Sequence, residues 1–95
     1  MGKAITRLGD KSLGHCFESR GNVAGSPNVF IDGIAAHRIG DAWPTHTCKT
    51  KSHSSITVIG SGSVFVNGVA LARIGDGLDC GDTIAEGSPN VFSGG

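Results

Sequence analysis

The chain has 95 residues, a length at which a hydrophobic core alone gives marginal stability and some added staple is expected. With 16 Gly, no Tyr and 5% aromatic residues, few side chains are large enough to fill a conventional core. Eight basic and eight acidic residues cancel and form no run, which excludes the electrostatic footprint of a nucleic-acid or anionic-membrane binder, and no apolar stretch approaches the roughly 20 residues of a membrane-spanning helix.

The start, Met1-Gly2-Lys3-Ala4-Ile5, lacks the apolar h-region of a signal peptide, so synthesis in the cytoplasm is expected. Arg7-Leu8-Gly9-Asp10 follows, and it is the first of three such words, the others being Arg38-Ile39-Gly40-Asp41 and Arg73-Ile74-Gly75-Asp76. A second word, Gly25-Ser26-Pro27-Asn28-Val29-Phe30, returns as Gly60-Ser61-Gly62-Ser63-Val64-Phe65 and as Gly87-Ser88-Pro89-Asn90-Val91-Phe92. Recurrence at fixed offsets marks internal repeats, and these set the architecture.

Val29 to Gly33 and Val64 to Gly68 are short β-branched and aromatic runs that end in Asp-Gly or Asn-Gly, the strongest local hairpin signal. Each predicts a β-hairpin, with return strands over Ile34 to Ile39 and Val69 to Ile74. No window sustains a helical apolar period, and Gly and Pro punctuate the chain throughout. The first repeat lacks its Val-Phe strand and the last lacks its Arg-Ile-Gly-Asp half, so residues 4–10 are expected to close against residues 87–92 as one circularly completed unit, with pseudo-threefold symmetry.

After each Gly-Asp comes a segment with His or Cys: Lys11 to Cys16, Ala42 to Cys48, and Gly77 to Cys80. His15, His46 and Cys80 lie at similar offsets from Asp10, Asp41 and Asp76, and His53 can supply a fourth donor. Imidazole and thiolate in a closed set of four suit structural zinc, one ion per chain, although iron also accepts these ligands. Such an ion would be the missing staple, because metal affinity becomes folding free energy. Cys48, two residues beyond His46, stands as an alternative ligand, whereas Cys16, beside His15, would face the other way in an extended segment. His37 occupies the place of Ala72 in the other repeat and reads as an ordinary strand histidine. Three cysteines cannot all pair within one chain, which argues against a disulfide module.

These words resemble the PAAR-repeat family, with Ala35-Ala36-His37-Arg38 and Ala70-Leu71-Ala72-Arg73 standing where the family has Pro-Ala-Ala-Arg, followed by Ile-Gly-Asp. The resemblance covers essentially the whole chain and implies a single all-β domain over residues 1–95, without extension. Its implied form is a small cone of short β-hairpins with pseudo-threefold symmetry and a metal near the point, held by three His and one Cys. The chain departs from the pattern in lacking both prolines, in His37, and in Cys16, where Gly usually follows the ligand histidine.

The implied role is structural and not enzymatic. The chain would cap the homotrimeric β-helical spike of a contractile phage tail or a type VI secretion system, one tip per trimer, contacting the target membrane transiently and carrying effector proteins in some systems. Val29, Phe30, Val64, Phe65, Val91 and Phe92 are the candidates for the spike-facing base, while for the three phenylalanines burial in the chain's own core is the weightier expectation. The rivals are a small Cys/His hydrolase with Cys16 or Cys48 as nucleophile, for which no orienting Asp or Asn is placed in a recognisable set, and a stand-alone zinc-binding module.

Overall fold

The computed structural model describes residues 2–14, 19–48 and 51–93, with the side chains of 46–48 and 51–53 excepted. The described residues contain no helix, and their strands are β1 (Lys3–Ala4), β2 (Phe30–Ile31), β3 (Ile34–Ala35), β4 (Ala42–Cys48), β5 (Lys51–Ile56), β6 (Phe65–Val66), β7 (Val69–Ala70) and β8 (Phe92–Ser93). The expected hairpins form where the turn chemistry allows them. Asp32 and Gly33 have φ of 55° and 79°, and Asn67 and Gly68 have 55° and 80°. A two-residue turn with both φ positive matches the right-handed twist of its strands, and Asp or Asn before Gly tolerates it best. β2 therefore pairs with β3 (Phe30↔Ala35, Ile31↔Ile34), and β6 with β7 in the equivalent register (Phe65↔Ala70, Val66↔Val69). The third pair is made by the two ends of the chain, β1 with β8 (Ala4↔Phe92, Lys3↔Ser93), as the truncated first and last repeats predict.

The return strands are shorter than expected. After Ala35 the chain leaves β2 and bonds to its neighbours, through the single bridges Arg7↔Ala36, Arg38↔Leu71 and Ile5↔Arg73. The bonds form a closed cycle: Thr6 N–H donates to Ala72 O, Ala72 N–H to His37 O, and His37 N–H to Thr6 O, each at 3.0 Å. One residue-pair further on, Leu8 donates to Ala35 O (2.8 Å), Ile39 to Ala70 O (2.9 Å) and Ile74 to Ala4 O (2.9 Å). Buried backbone groups need partners, and in a fold with two-residue strands this cycle supplies them.

The repeated words are the joints of that cycle. Ser26, Ser61 and Ser88 each accept, on Oγ, the N–H of Val29, Val64 or Val91 at 2.9 Å, which fixes the turn into each Val-Phe strand. Their own N–H groups donate to Ala36 O, Leu71 O and Ile5 O at 2.7, 2.8 and 2.7 Å. In the other word, Asp10, Asp41 and Asp76 accept the backbone N–H of Arg7, Arg38 and Arg73 (2.8, 2.9 and 2.8 Å) and also grip the guanidinium with both oxygens. The intervening Gly9, Gly40 and Gly75 take φ near 90°, a conformation nearly closed to other residues.

The described residues form two small apolar clusters. Ile5, Ala36, Val66 and Leu71 form one, with Val29, Ile31 and Val91 packed against it. Trp43, Ala72, Leu78 and Ile84 form the other, with Cys80 against it. Phe30, Phe65 and Phe92 belong to neither cluster, which overturns the expectation that they fill the core: they are 56%, 58% and 56% exposed. In a two-residue strand beside a tight turn the alternate positions, Ile31 and Val66, face inward and leave the aromatic ring outside. β4 and β5 make the longest hairpin, with a register irregularity between Trp43 and His46, where Pro44 cannot donate to a ladder. The molecule measures 38 × 27 × 21 Å along its principal axes.

Candidate functional site

The β4–β5 hairpin sets His46 opposite His53, with Thr47 opposite Ser52 and Cys48 opposite Lys51. Directly opposed positions share one face of a ladder, so the register brings two of the four predicted ligand positions together. The segment leading to the third is tied to the strand stretch that follows the fourth. Ser12 bridges Ile84, Leu13 N–H donates to Thr83 O (2.8 Å), and Gly14 N–H donates to the Asp82 carboxylate (3.0 Å), immediately before His15. Cys80 is a free, half-buried thiol in the turn between Leu78 and Asp82, where Gly81 takes φ 92°. Next to it, Asp79 N–H donates to Ile56 O (3.1 Å) and Asp79 Oδ1 accepts Ile56 N–H (3.2 Å), which fastens that turn to the end of β5.

His15 and Cys16 lie outside the described residues, as do the side chains of His46, Cys48 and His53. Among the described residues, no three His, Cys, Asp or Glu gather as a metal site would require. The backbone joins the segments around these positions, residues 12–13 bonding to 83–84 and Asp79 to Ile56.

Beneath that hairpin lies a polar chain that sequence reasoning missed. His37, read as an ordinary strand histidine, is fully buried. Its Nδ1 lies 2.7 Å from Ala24 O, its Nε2 2.7 Å from Thr57 Oγ1, and Trp43 Nε1–H donates to the same hydroxyl at 2.8 Å. A carbonyl only accepts, so Nδ1 carries the proton, Nε2 is bare, and Thr57 donates to it. Burial pushes the imidazole below its ordinary range, against the opposing pull of the Ala24 carbonyl and the Asp41 and Asp10 charges. Only the placement of His where the other units have Thr6 and Ala72 hinted at this role.

The other candidate surface is built from the hairpin edges. The pair flanking a two-residue turn is hydrogen-bonded, and the pair after next is too, since Ala36 N–H donates to Val29 O at 3.0 Å. Phe30 and Ala35 are therefore a non-bonded pair, and the N–H and C=O of Phe30 point away from β3. Phe65 and Phe92 stand in the same register, with Leu71 donating to Val64 O (3.0 Å) and Ile5 to Val91 O (3.1 Å). Of the predicted docking residues, Val64 is also exposed, while Val29 and Val91 are half-buried. Neighbouring hairpins are laced together. Ser26 Oγ donates to Asn67 Oδ1 (2.7 Å), Asn67 Nδ2 donates to Asn28 Oδ1 (2.8 Å), Ser88 hydrogen-bonds Asp32, and Arg7 and Arg38 reach Asp32 and Asn67.

The described residues thus form a small all-β module in which one hairpin unit recurs three times, each time with an exposed Phe on its edge. The chain matches the family model described as PAAR motif over residues 13–86 and belongs to that family. The family places it among the spike-tip modules of contractile injection machines, which are structural and associate with a spike protein. No curated protein matches the chain.

Proposed function

We propose that this chain is the pointed cap of a homotrimeric β-helical spike, bound as one copy per trimer, with its hairpin edges as the docking face. The observation that carries this is the threefold recurrence of an exposed Phe on an open strand edge, at Phe30, Phe65 and Phe92, in a ring whose bonds close cyclically. A monomer with pseudo-threefold symmetry meets three identical strand ends with three equivalent edges. Each edge offers the backbone N–H and C=O of its Phe to an incoming strand, while Phe and Val side chains supply apolar contact. Capping also hides the trimer's own strand ends, which otherwise invite uncontrolled association.

The second part of the proposal is the tip. His15, His46, His53 and Cys80 would hold zinc, or iron, in a closed set, and the bound ion would act as a structural cross-link. The chain's own residues support that end: Cys80 packs against the cluster of Trp43, Ala72, Leu78 and Ile84, and Asp82 holds the backbone at Gly14, just ahead of His15. Rigidity there would concentrate the thrust of a contracting sheath during brief contact with a target envelope. In this reading residues 1–95 act as one tip domain, in a type VI secretion system or a phage tail, with effectors attached without a covalent link.

Mixing the protein with a trimeric spike protein and measuring affinity tests the docking face. Burying a Phe that is already half covered is worth about 1 kcal/mol, so the triple Phe30→Ala, Phe65→Ala, Phe92→Ala variant should bind at least ~100-fold more weakly. Unchanged affinity for the triple variant, with its fold intact, would refute the assignment.

A further inference from the structure

The buried His37 chain occurs in one of the three units, since the equivalent positions of the other two hold Thr6 and Ala72. It connects parts that no backbone bond of His37 joins. Ala24 belongs to the segment entering the first complete hairpin, Trp43 is the second residue of β4, and Thr57 follows β5, so the imidazole adds a buried side-chain tie between the roots of the longest hairpin and a segment that the backbone also joins through Val23 N–H to Ala42 O (3.1 Å). Trp43 adds an edge-on ring contact, with centroids 5.4 Å apart at 74°.

We infer that His37 is an acid-sensitive latch: neutral, it locks the root of the β4–β5 hairpin to the Ala24 segment, and a proton taken up on Nε2 from solvent releases that lock. The neutral network has no loose ends, since Trp43 N–H donates to Thr57, Thr57 O–H donates to Nε2, and Nδ1–H donates to Ala24 O. With Nε2 protonated, both Nε2–H and the indole N–H point at Thr57 Oγ1, and the hydroxyl proton loses its acceptor in a buried site. A buried donor without a partner is costly.

The surrounding charges leave the imidazole without a dedicated counter-ion. On its own strand Arg38 pairs with Asp41, on the Thr6 segment Arg7 pairs with Asp10, and on the Ala72 segment Arg73 pairs with Asp76. Asp41 and Asp10 favour the imidazolium and Arg38 opposes it, while burial outweighs them. Among the described residues, the segments carrying Ala24, Trp43 and Thr57 contribute hydrogen bonds and no charge at the ring.

The test compares folding equilibrium constants, by denaturant titration of the zinc-saturated protein, at pH 7.5 and 5.5 for the native sequence and for His37→Gln. Glutamine can donate to Ala24 O but does not titrate. An unfolded histidine with pKa about 6.5 is roughly ten-to-one protonated at pH 5.5, so the native sequence should lose more in its folding constant than the variant, by a factor of up to about ten. Taking the difference cancels any titration of the proposed ligand histidines. Parallel pH profiles would overturn the latch. Nitrogen-15 NMR of the unaltered protein gives a second readout that survives a misfolded variant: His37 should show a bare Nε2 and protonated Nδ1 at pH 7.5 and convert to imidazolium only at a lower pH than a free histidine, whereas conversion near pH 6.5 or above in the folded protein would overturn it.

Discussion

The glycine that opens each Gly-Ser word is packed against the backbone of a neighbouring unit or segment, and replacing it tests whether the three units interlock as described. A Cβ built on Gly60 would lie 2.8 Å from Leu71 O, 3.1 Å from the Ala70 Cβ and 3.1 Å from Ile39 Cγ1. The oxygen cannot retreat freely, because it already accepts Ser61 N–H at 2.8 Å and belongs to the residue at the heart of the first cluster. Gly60→Ala should therefore cost about 1–3 kcal/mol, the range for forced overpacking, and lower Tm by roughly 5–20 °C in a domain of this size. Gly62→Ala is the internal control, since a Cβ there meets nothing within 4 Å. It should be neutral or stabilising by up to ~1 kcal/mol. Gly25→Ala and Gly87→Ala meet Ala36 O at 2.9 Å and Ile5 O at 2.8 Å, so they should behave like Gly60→Ala. Differential scanning calorimetry of the four variants decides the matter. If Gly60→Ala melts with the native protein, or if the three equivalent glycines differ as widely from one another as from Gly62, the interlocking reading is wrong.

Three further outcomes follow from other parts of the structure. Thr57→Val keeps the shape but strands Trp43 Nε1–H and His37 Nε2, and should cost about 2–4 kcal/mol in denaturant titration, whereas a loss under ~0.5 kcal/mol would mean the polar chain is idle. Burial raises the Asp41 pKa, but its bonds to the Arg38 side chain and backbone outweigh that and hold it below its ordinary value. A depressed carboxyl stabilises fully above its unfolded pKa of about 3.9 and loses that contribution as pH falls through the folded value, so native protein should lose more stability between pH 5 and 2 than Asp41→Asn. Asp76, 2% exposed and gripping Arg73, is more deeply set than Asp41, so Asp76→Ala should be costlier, about 3–5 kcal/mol, with Asp41→Ala below it in the same calorimetric series.

Much of this architecture was legible in the residues because it is local and repeated. Asp32-Gly33 and Asn67-Gly68 specify their own turns, and the truncated words at the two ends foretell the β1–β8 pair. Strand length was not legible, because where β3 ends depends on Ala36 and Arg38 finding partners in other units. The phenylalanines misled for a related reason: an apolar strand residue looks the same whether its face meets the core or a partner, and only the inward packing of Ile31, partly buried, and Val66, buried, beside them decides. The candidate metal ligands were readable from their spacing to the repeats, and the His46↔His53 register is the part that the backbone adds. His37 and Trp43 each meet Thr57, 20 and 14 positions further along the chain, and no motif announces such a contact.

Native mass spectrometry of the protein assembled with its trimeric spike addresses the central claim most directly. One chain per three spike chains, carrying one zinc or iron ion that leaves on chelation, is the predicted species. Three copies per trimer, or a capped spike whose tip holds no metal after purification without chelators, would contradict the account.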